Sequence, residues 1–426
     1  MVVSPVMKFG GAALADGAAV RRVCAVVAGR ARQHPAVVVS AHAGVTALLE
    51  RQARSAAAGH RRSDEVRVRH HTLLSQLGLD SELLDRHLWE LASVLDELRG
   101  RGELGRAQLD FVLSFGERMS ARIVAACLRE GGVPATAVDA FDLGLTPDGA
   151  MRARPAFESA VRAVPGIPVV TGFLAQDGEG NLTTLGPNGS DLTAALLAEA
   201  LEAGEVQLWK TVPGVMSADP SLVPGARLVE SMSFSLAAEL AGQGASVLHP
   251  RALEPARRAG LCVRVLDVNQ PTRSGTLIEE RPEGEGGVRA VAVASEPALV
   301  ALSLPGGGTT LAELFARMGA QRIAPRFTLA ERGGVTVFAP AGVSAERVAR
   351  DLPGVSVRRE VASAAVVGHG GALLGARALE QINAAGITVE RAFLGSGRVQ
   401  AFLVDPARRV AAVRALHEGL LEVALA

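Results

Sequence analysis

Short apolar runs alternate with longer helical patterns over residues 1–282, and this alternation constrains the fold more than any other feature of the sequence. Each apolar run has the length of one strand, and each helical pattern is long enough to return across a sheet. Strands that alternate with helices predict a layered α/β domain with a mostly parallel sheet. The predicted strands are Val2–Met7, Ala36–Ser40, Ile167–Phe173, Val206–Lys210 and Cys262–Val268, and the main predicted helices are Ala18–Gln33, Val45–Ser55, Phe111–Leu128, Ser190–Ala203 and Ser233–Gln243.

Smaller units follow a segment rich in Pro, Gly and Glu at Pro282–Gly287, which we interpret as a linker. After it, the order strand–helix–strand–strand–helix occurs clearly once and in a rougher form before that, which predicts two small α+β modules. We therefore expect a domain at 1–282 and modules at 288–358 and 359–426. The predicted elements here are Val288–Leu304, Leu311–Gly319, Gly334–Phe338, Ser344–Leu352, Ser363–Gly368, Ala372–Ala385, Ile387–Phe393, Arg398–Val404 and Ala407–Gly419.

Composition argues against two classes of partner. Lys and Arg together equal Asp and Glu, 44 against 44, whereas phosphate binding along nucleic acid requires a basic excess. We expect no membrane span, because no apolar run reaches transmembrane length. The three cysteines are far apart and lack metal-ligand spacing, so we expect a reducing, cytoplasmic location and no resident metal site.

Two Gly-containing turns follow predicted strands. Lys8–Gly11 reads Lys-Phe-Gly-Gly, where glycines let backbone amides approach phosphate and a lysine can bind phosphate oxygens. Ser40–Thr46 lies at the end of the next strand, where ligands bind in open α/β sheets. Taken alone, each turn fits a plain strand–helix connection equally well, and His42 fits a structural role better than a functional one.

Two further stretches place acidic residues where a ligand could use them. Glu117 lies within an otherwise apolar segment and needs a partner if it is buried, either a substrate ammonium group or a neighbouring arginine such as Arg118 or Arg122. Thr183–Asp191 is a Gly-rich turn that leads into a helix, where amides can bind an anion. The alternative for this second stretch is an ordinary Ser or Asp N-cap.

Together these four stretches resemble the aspartate kinase branch of the amino-acid kinase family. Lys8–Gly11 is similar to its Lys-Phe-Gly-Gly opening, and the turn after Ser40 is similar to its Ser-Ala-x-x-Gly-Val-Thr turn. The resemblance continues in the same order to the chain's end, where the two small modules resemble the tandem ACT domains of these kinases. The remaining matching segments are Ser114–Ala121, Thr183–Asp191, Gly214-Val215, Ala218–Pro220, Gly244–Pro250, Gly275–Ile278 and Val413–Glu418.

The resemblance implies a three-layer kinase domain and roles for individual residues. Lys8 and Asp191 would be catalytic, with Asp191 orienting Lys8. The residues implied for nucleotide binding are Lys8, Gly10, Gly11, Ser40, Lys210 and Asp219, and those implied for substrate binding are Thr46, Glu117, Ser190 and Asp191.

The implied reaction transfers a phosphoryl group from ATP to the side-chain carboxylate of L-aspartate, giving 4-phospho-L-aspartate. It is the first step of the lysine, threonine and methionine branch of amino-acid biosynthesis. Mg²⁺ would be carried by the nucleotide, and no general base is required because the carboxylate is already ionised. The resemblance also implies a homodimer or higher homo-oligomer with an amino-acid effector at the ACT modules, although those modules could serve only for dimerisation.

The sequence departs from the family pattern at the nucleotide and at the substrate carboxylate. Pro187 stands where the pattern has arginine, and Trp209–Thr211 lacks the usual acidic residue. Lys210 could restore one charge, and Arg118 or Arg122 could bind the substrate carboxylate. Two alternatives therefore remain, a degenerate homologue with a regulatory or binding role and a kinase for another amino acid or carboxylate. The other departures are Ala12-Ala13, Met216, Ser221 and Ser246.

Overall fold

The computed structural model describes residues 5–60, 63–146, 154–244, 250–281, 287–305, 308–321, 323–331, 333–342, 347–348, 352, 354–395 and 397–422. Its strands are β1 Val6–Phe9, β2 Ala36–Val39, β3 Ala135–Val138, β4 Ile167–Thr171, β5 Leu174–Gln176, β6 Leu182–Thr184, β7 Glu205–Lys210, β8 Ser231–Ser233, β9 Cys262–Asp267, β10 Thr276–Glu279, β11 Arg289–Pro305, β12 Phe327–Glu331, β13 Gly334–Pro340, β14 Ser356–His369, β15 Val389–Phe393 and β16 Val399–Val404. Its α-helices are α1 Gly17–Ala28, α2 Val45–Ala57, α3 Glu65–Leu77, α4 Asp85–Arg101, α5 Arg106–Glu130, α6 Arg154–Arg162, α7 Gly189–Ala200, α8 Phe234–Gly242, α9 Pro250–Arg258, α10 Gly308–Ala320, α11 Gly371–Ala384 and α12 Arg409–His417. Short 3-10 helices span Gly11–Leu14, Ala31–Gln33, Ser81–Leu84, Ala140–Leu143 and Pro406–Arg408, and a π-helix spans Glu418–Glu422.

The first compact unit comprises Met1–Gly214 and Arg251–Glu280, and it contains the larger sheet. Within this unit the strand order is β3-β4-β2-β1-β7-β9-β10. All neighbours pair in parallel except β9 and β10, which are antiparallel. β1 and β2 are buried at every position, as expected for strands covered by helices on both faces. The predicted three-layer domain with a mostly parallel sheet is confirmed.

The core of this unit lies between the central strands and the helices that cover them. Phe9 of β1, Leu49 of α2 and Phe115 of α5 belong to one apolar cluster and are fully buried. These helices thereby fix the strand-to-helix turns at one edge of the sheet, where the candidate site is found.

The second unit comprises Val215–Pro250 and Arg281–Ala426 and contains a six-stranded sheet in the order β12-β13-β11-β14-β16-β15. The first half consists of β11, α10, β12 and β13, and the second half begins with β14, α11, β15 and β16. The first strand of each half, β11 or β14, lies at the centre of the sheet. β11 pairs antiparallel with β14 and joins the halves. This arrangement confirms the predicted pair of α+β modules.

The segment Val215–Pro250 belongs to the second unit although it precedes residue 282. The Val293 amide donates to the Ser217 carbonyl at 2.7 Å, and Ala218 and Val223 lie in the same apolar cluster as Val293. Sequence patterns report local periodicity and do not reveal this long-range packing. The domain limits at 282, 288–358 and 359–426 stay predictions.

Several local predictions need correction. Lys8 and Phe9 lie inside β1 instead of following it, and the first helix ends at Ala28 instead of Gln33 because a separate 3-10 turn precedes left-handed His34. β5, β6 and β12 were not predicted, because each mixes apolar with polar side chains and none is a continuous apolar run. Residues 282–286 of the predicted linker, most of the helix predicted at 344–352, and the segment 245–249 with Ser246 lie outside the described residues. In the described part of the chain, no helix is both long and apolar enough to cross a membrane.

Candidate active site

The site lies where the connections of the parallel sheet change direction. β1 pairs with β2 on one side and with β7 on the other, and the chain visits β2 and β4 before it returns to β7. The connections that follow the strands on either side of such a point leave in opposite directions, which opens a crevice at the carboxyl ends of the strands. The turns that begin at Gly10 and Ser40 both open at this edge.

Asp191 lies between two lysines at this edge. The Nζ atom of Lys8, on β1, is 2.6 Å from Oδ1 of Asp191, and the Nζ atom of Lys210, at the end of β7, is 2.9 Å from Oδ2. Asp191 is in the first turn of α7, and its side chain is 2% exposed. The predicted pairing of Lys8 with Asp191 is therefore present, and one carboxylate compensates two cations.

Two basic side chains share one acidic partner in this cluster. Burial by itself raises the pKa of Asp191, but the charges of Lys8 and Lys210 and the hydrogen bonds from them lower it to about 2. Burial and the charge of Lys210 lower the pKa of Lys8, while Asp191 opposes that change. A carboxylate that is ionised at neutral pH thus holds the amino groups of two lysines together, an arrangement that suits an anionic ligand.

The first turn of α7 is fixed by close contacts with the strand ends. The Ser40 hydroxyl, after β2, donates to the Ser190 hydroxyl at 3.0 Å. Gly172, after β4, lies so close that a Cβ atom there would be 2.5 Å from both Cβ and Oγ of Ser190. Only glycine fits this position, and it holds Ser190 and Asp191 in place.

Glu117, on α5, reaches the turn that follows β2. Its Oε1 atom accepts the Ala41 amide at 3.0 Å, while Oε2 has no hydrogen-bond partner among the described residues. Burial raises the pKa of Glu117 to about 8, although the Ala41 amide and the charge of Lys8 act to lower it. At neutral pH this carboxyl group holds a proton, and it is positioned to release that proton to gain a cationic partner.

The two Gly-containing turns pack directly on each other. A Cβ atom at Gly11 would lie 2.8 Å from the carbonyl oxygen of Ala41, and one at Gly10 would lie 3.4 Å from Nζ of Lys8. Thr46 is half-buried in the first turn of α2, the helix that follows the turn after Ser40. The structure thus gathers Gly10, Gly11 and the turn after Ser40 at the lysine cluster.

Asp219 is the one predicted site residue that belongs to the second unit. Its carboxylate accepts the amide and hydroxyl of Ser221 at 2.9 and 2.7 Å, a local turn contact. The assignment of Asp219 to the nucleotide stays a prediction, as do the roles of the other residues.

The N-cap interpretation of Ser190 and Asp191 is wrong. The cap position of α7 is Asn188, which has φ 57° and makes no side-chain cap hydrogen bond. Ser190 and Asp191 lie inside the helix and face Ser40 and the lysines instead.

Arg118 and Arg122 are already paired within the protein. Arg122 donates to both carboxylate oxygens of Asp139 at 2.5 and 2.7 Å, and Arg118 donates to Glu90 at 3.2 Å. Their charges are therefore compensated, and the idea that they replace the arginine missing at Pro187 loses its basis. Pro187 itself lies exposed in the turn before α7.

Sequence reasoning missed Asp110, which anchors the strand before the Gly-rich turn. It is buried in the first part of α5 and accepts the hydroxyls of Thr183 and Thr184 at 2.8 and 3.1 Å. An acidic residue next to apolar Phe111 was a usable signal, but the helix was expected to begin only at Phe111.

Comparisons with known proteins show the family to which the chain belongs. Residues 5–267 match the sequence model of the amino acid kinase family. The chain is 36% identical over 310 residues to lysine-sensitive aspartokinase 3 of Escherichia coli K12, covering 70% of this chain and 69% of that protein. It is 34% identical over 295 residues to chloroplastic aspartokinase 1 of Arabidopsis thaliana, covering 65% of this chain and 52% of that protein. The chain thus spans about half the length of the Arabidopsis relatives that it matches.

The fold is also similar to solved structures over nearly its whole length. E. coli aspartokinase III in complex with aspartate and ADP superimposes with a TM-score of 0.80 and 27% identity, covering 97% of this chain and 99% of that one. The same enzyme in complex with lysine and aspartate gives a TM-score of 0.76 and 26% identity, covering 99% and 100%. The chain belongs to the amino acid kinase family and, within it, to the aspartokinases.

Proposed function

We propose that this protein transfers the γ-phosphoryl group of ATP to the side-chain carboxylate of L-aspartate and so forms 4-phospho-L-aspartate. The observation that carries the proposal is the Asp191 carboxylate held between Lys8 and Lys210 at the switch point of the sheet. The similar E. coli enzyme was solved with aspartate and ADP bound, which supports the same pair of ligands here.

The two lysines supply the positive charge that phosphoryl transfer requires. As the bond between Pγ and the β,γ-bridging oxygen breaks and the bond to the carboxylate oxygen forms, negative charge lies on the γ-phosphoryl oxygens and on the departing ADP. Lys8 and Lys210 are positioned to neutralise that charge without reorganisation, because Asp191 already fixes both. No proton is removed from the acceptor, since an aspartate side chain is ionised at neutral pH.

Glu117 and Ser190 would hold the amino-acid substrate. The buried, unpartnered Oε2 atom of Glu117 is suited to accept a hydrogen bond from the substrate ammonium group. Ser190, fixed by Ser40, would contribute a hydroxyl beside it. We assign Thr46 to the substrate, and Gly10 and Gly11 to the phosphates, on the basis of the sequence resemblance.

Mg²⁺ would enter as part of the MgATP substrate. Both oxygens of Asp191 are engaged by lysines, so this carboxylate is not an available ligand for a metal ion. The nucleotide phosphates then supply the principal oxygen ligands.

The second unit would serve regulation and assembly. We propose that its two modules bind an amino-acid effector and join chains into a homodimer or larger homo-oligomer in the cytoplasm. The structure of the E. coli relative with bound lysine, designated its T-state, supports effector binding. Modules that only dimerise the chain are the alternative, and titration of effectors against activity separates the two.

An ATP-dependent hydroxamate assay tests the proposed reaction. We expect 4-phospho-L-aspartate to be trapped as the hydroxamate when MgATP and L-aspartate are both present, and we expect Lys210→Met to reduce the rate at least about tenfold. Absence of turnover, together with absence of a nucleotide-dependent thermal shift, would instead support a binding protein without kinase activity.

A different acceptor is the second candidate, because exposed Pro187 cannot bind the substrate carboxylate as an arginine would. L-Glutamate and succinate should therefore be assayed beside L-aspartate. A higher kcat/KM for either one would reassign the acceptor while retaining the phosphoryl-transfer chemistry.

A further inference from the structure

A cavity of about 180 Å³ lies beside the site in the first unit, between the turn after β2 and helix α3. Its lining includes His42 of the turn and His70 of α3, both buried, with Arg69, Asp16 and Gln76 as exposed residues at its rim. None of these side chains has a role in the proposed phosphoryl transfer.

The two histidines present unpartnered acceptors. Nδ1 of His42 is 2.7 Å from the Leu14 carbonyl and Nδ1 of His70 is 2.7 Å from the Val66 carbonyl, so each Nδ1 must carry the proton. Each Nε2 is then a lone-pair acceptor, and neither has a hydrogen-bond partner among the described residues. Burial is the main cause that lowers the pKa of His42 to about 3 and of His70 to about 4, so both rings are neutral at pH 7.

The distance between the two rings allows a single partner to bind both of them. Their centroids are 6.0 Å apart in an edge-on arrangement. One small donor group placed about 2.8 Å from both Nε2 atoms is compatible with this separation. The described residues also contain no group of three or more His, Cys, Asp or Glu that could hold a metal. A group with two or more N–H donors, such as an ammonium, meets the requirement.

The volume and rim charges restrict the ligand further. A single water, at about 30 Å³, would fill only a small part of the 180 Å³, while drug-sized ligands need about 300 Å³ or more. Arg69 donates to the Ala43 carbonyl, and a guanidinium has five N–H donors, which leaves donors for a carboxylate. Asp16 adds a negative charge at the rim to complement an ammonium.

We propose that this cavity binds a free α-amino acid, whose ammonium group donates to Nε2 of His42 and His70 and whose carboxylate binds Arg69. The ligand would lie behind the turn that contains Ser40 and Ala41. Because the Ala41 amide binds Glu117 and its carbonyl contacts Gly11, occupancy is expected to change the kinetic constants of the active site.

Isothermal titration calorimetry of the full chain tests the proposal. The probes are the twenty common L-α-amino acids and their N-acetylated and decarboxylated counterparts, titrated into Asp191→Asn protein so that binding at the proposed active site is weakened. We expect at least one amino acid to bind, and to lose affinity at least about tenfold when either the amino or the carboxylate group is removed.

Variants of the cavity complete the test. His70→Phe, which fills the cavity and removes one acceptor, and Arg69→Met, which changes only the exposed rim, should each weaken binding about tenfold or more. His60→Phe, an exposed histidine outside the cavity lining, is the matched control and should leave binding unchanged. The proposal is overturned if no probe binds, which would mean that the cavity holds only water, or if binding is insensitive to both His70→Phe and Arg69→Met. Either result leaves the proposed kinase reaction untouched.

Discussion

Asp191 is the residue on which the electrostatics of the site depend. Its carboxylate is buried, carries a pKa of about 2, and compensates two lysines at once. Removing a single member of a buried ion pair leaves uncompensated charge in a low-dielectric environment, which costs far more than the pair gains. Asp191 is therefore expected to matter for both stability and catalysis.

We predict that Asp191→Asn lowers the free energy of unfolding by about 3 kcal/mol and kcat/KM at least about 100-fold, because Lys8 and Lys210 then repel each other without a counter-charge. Urea denaturation and steady-state kinetics measure the two effects. Glu103→Gln, at an exposed carboxylate between α4 and α5, is the control and should change neither. Wild-type stability in Asp191→Asn would show that the lysines do not depend on this carboxylate.

The raised pKa of Glu117 implies that substrate binding depends on pH. Its pKa of about 8 means that below pH 8 the free protein carries the proton, which an incoming ammonium group must displace. The Kd for L-aspartate should therefore fall about tenfold per pH unit as the pH rises from 6 to 8 and level off above 8. Glu117→Gln should bind weakly and without this dependence. A Kd that stays constant from pH 6 to 8 in the wild type contradicts the assignment.

At the scale of elements, the position of α7 relative to the strand ends decides the geometry of the site. Gly172 after β4 and Ser40 after β2 both contact Ser190 in its first turn. Since a packed helix terminus cannot shift without moving Asp191, these contacts transmit any steric change directly to the lysine cluster.

We predict that Gly172→Ala lowers stability by about 1–3 kcal/mol and kcat/KM about 10-fold or more, because its Cβ atom would overlap Ser190. Gly29→Ala is the matched control, since Gly29 has φ −61° and a Cβ atom there would meet nothing closer than 3.5 Å. Thermal unfolding and kinetics of the two variants provide the comparison. Equal behaviour of both would mean that α7 adjusts without cost.

Sequence patterns predicted the strands and helices that carry the site, because β1, β2, β4, β7 and α7 belong to the regular alternation of short apolar runs with longer helical patterns. Motifs that occur in the same order as in the family pattern also identified Lys8 and Asp191, which meet in the structure. The second ion pair of Asp191 and the anchoring of Thr183 by Asp110 were beyond such reasoning. Both depend on segments distant in sequence that only the folded topology brings together.

At the scale of the whole molecule, the chain forms two units whose boundary does not follow sequence order. The segment Val215–Pro250 contributes Ala218 and Val223 to the core of the C-terminal unit. The Ser217 hydroxyl is also 2.8 Å from Nε2 of His417, and Arg414 donates to the Leu222 carbonyl at 2.8 Å. The part of the chain that carries Asp219 therefore depends on residues near the C-terminus.

We predict that a chain ending at Glu280 is less stable than the full-length protein, because Ala218 and Val223 lose their apolar partners and the Ser217 carbonyl loses the Val293 amide. Thermal unfolding and dye binding to exposed apolar surface measure the difference. An unchanged unfolding midpoint without dye binding would show that residues 1–280 fold independently.

The central claim is that the side-chain carboxylate of L-aspartate attacks the γ-phosphorus of ATP at the cluster of Lys8, Asp191 and Lys210. L-Aspartate labelled with ¹⁸O in that carboxylate tests it directly when hydroxylamine traps the product. Hydroxylamine attacks the acyl carbon and expels phosphate, so the account predicts inorganic phosphate that carries one ¹⁸O atom from aspartate. It also predicts that Asp191→Asn releases little of this phosphate. ATP-dependent phosphate without ¹⁸O, or no phosphate release at all, would contradict the account.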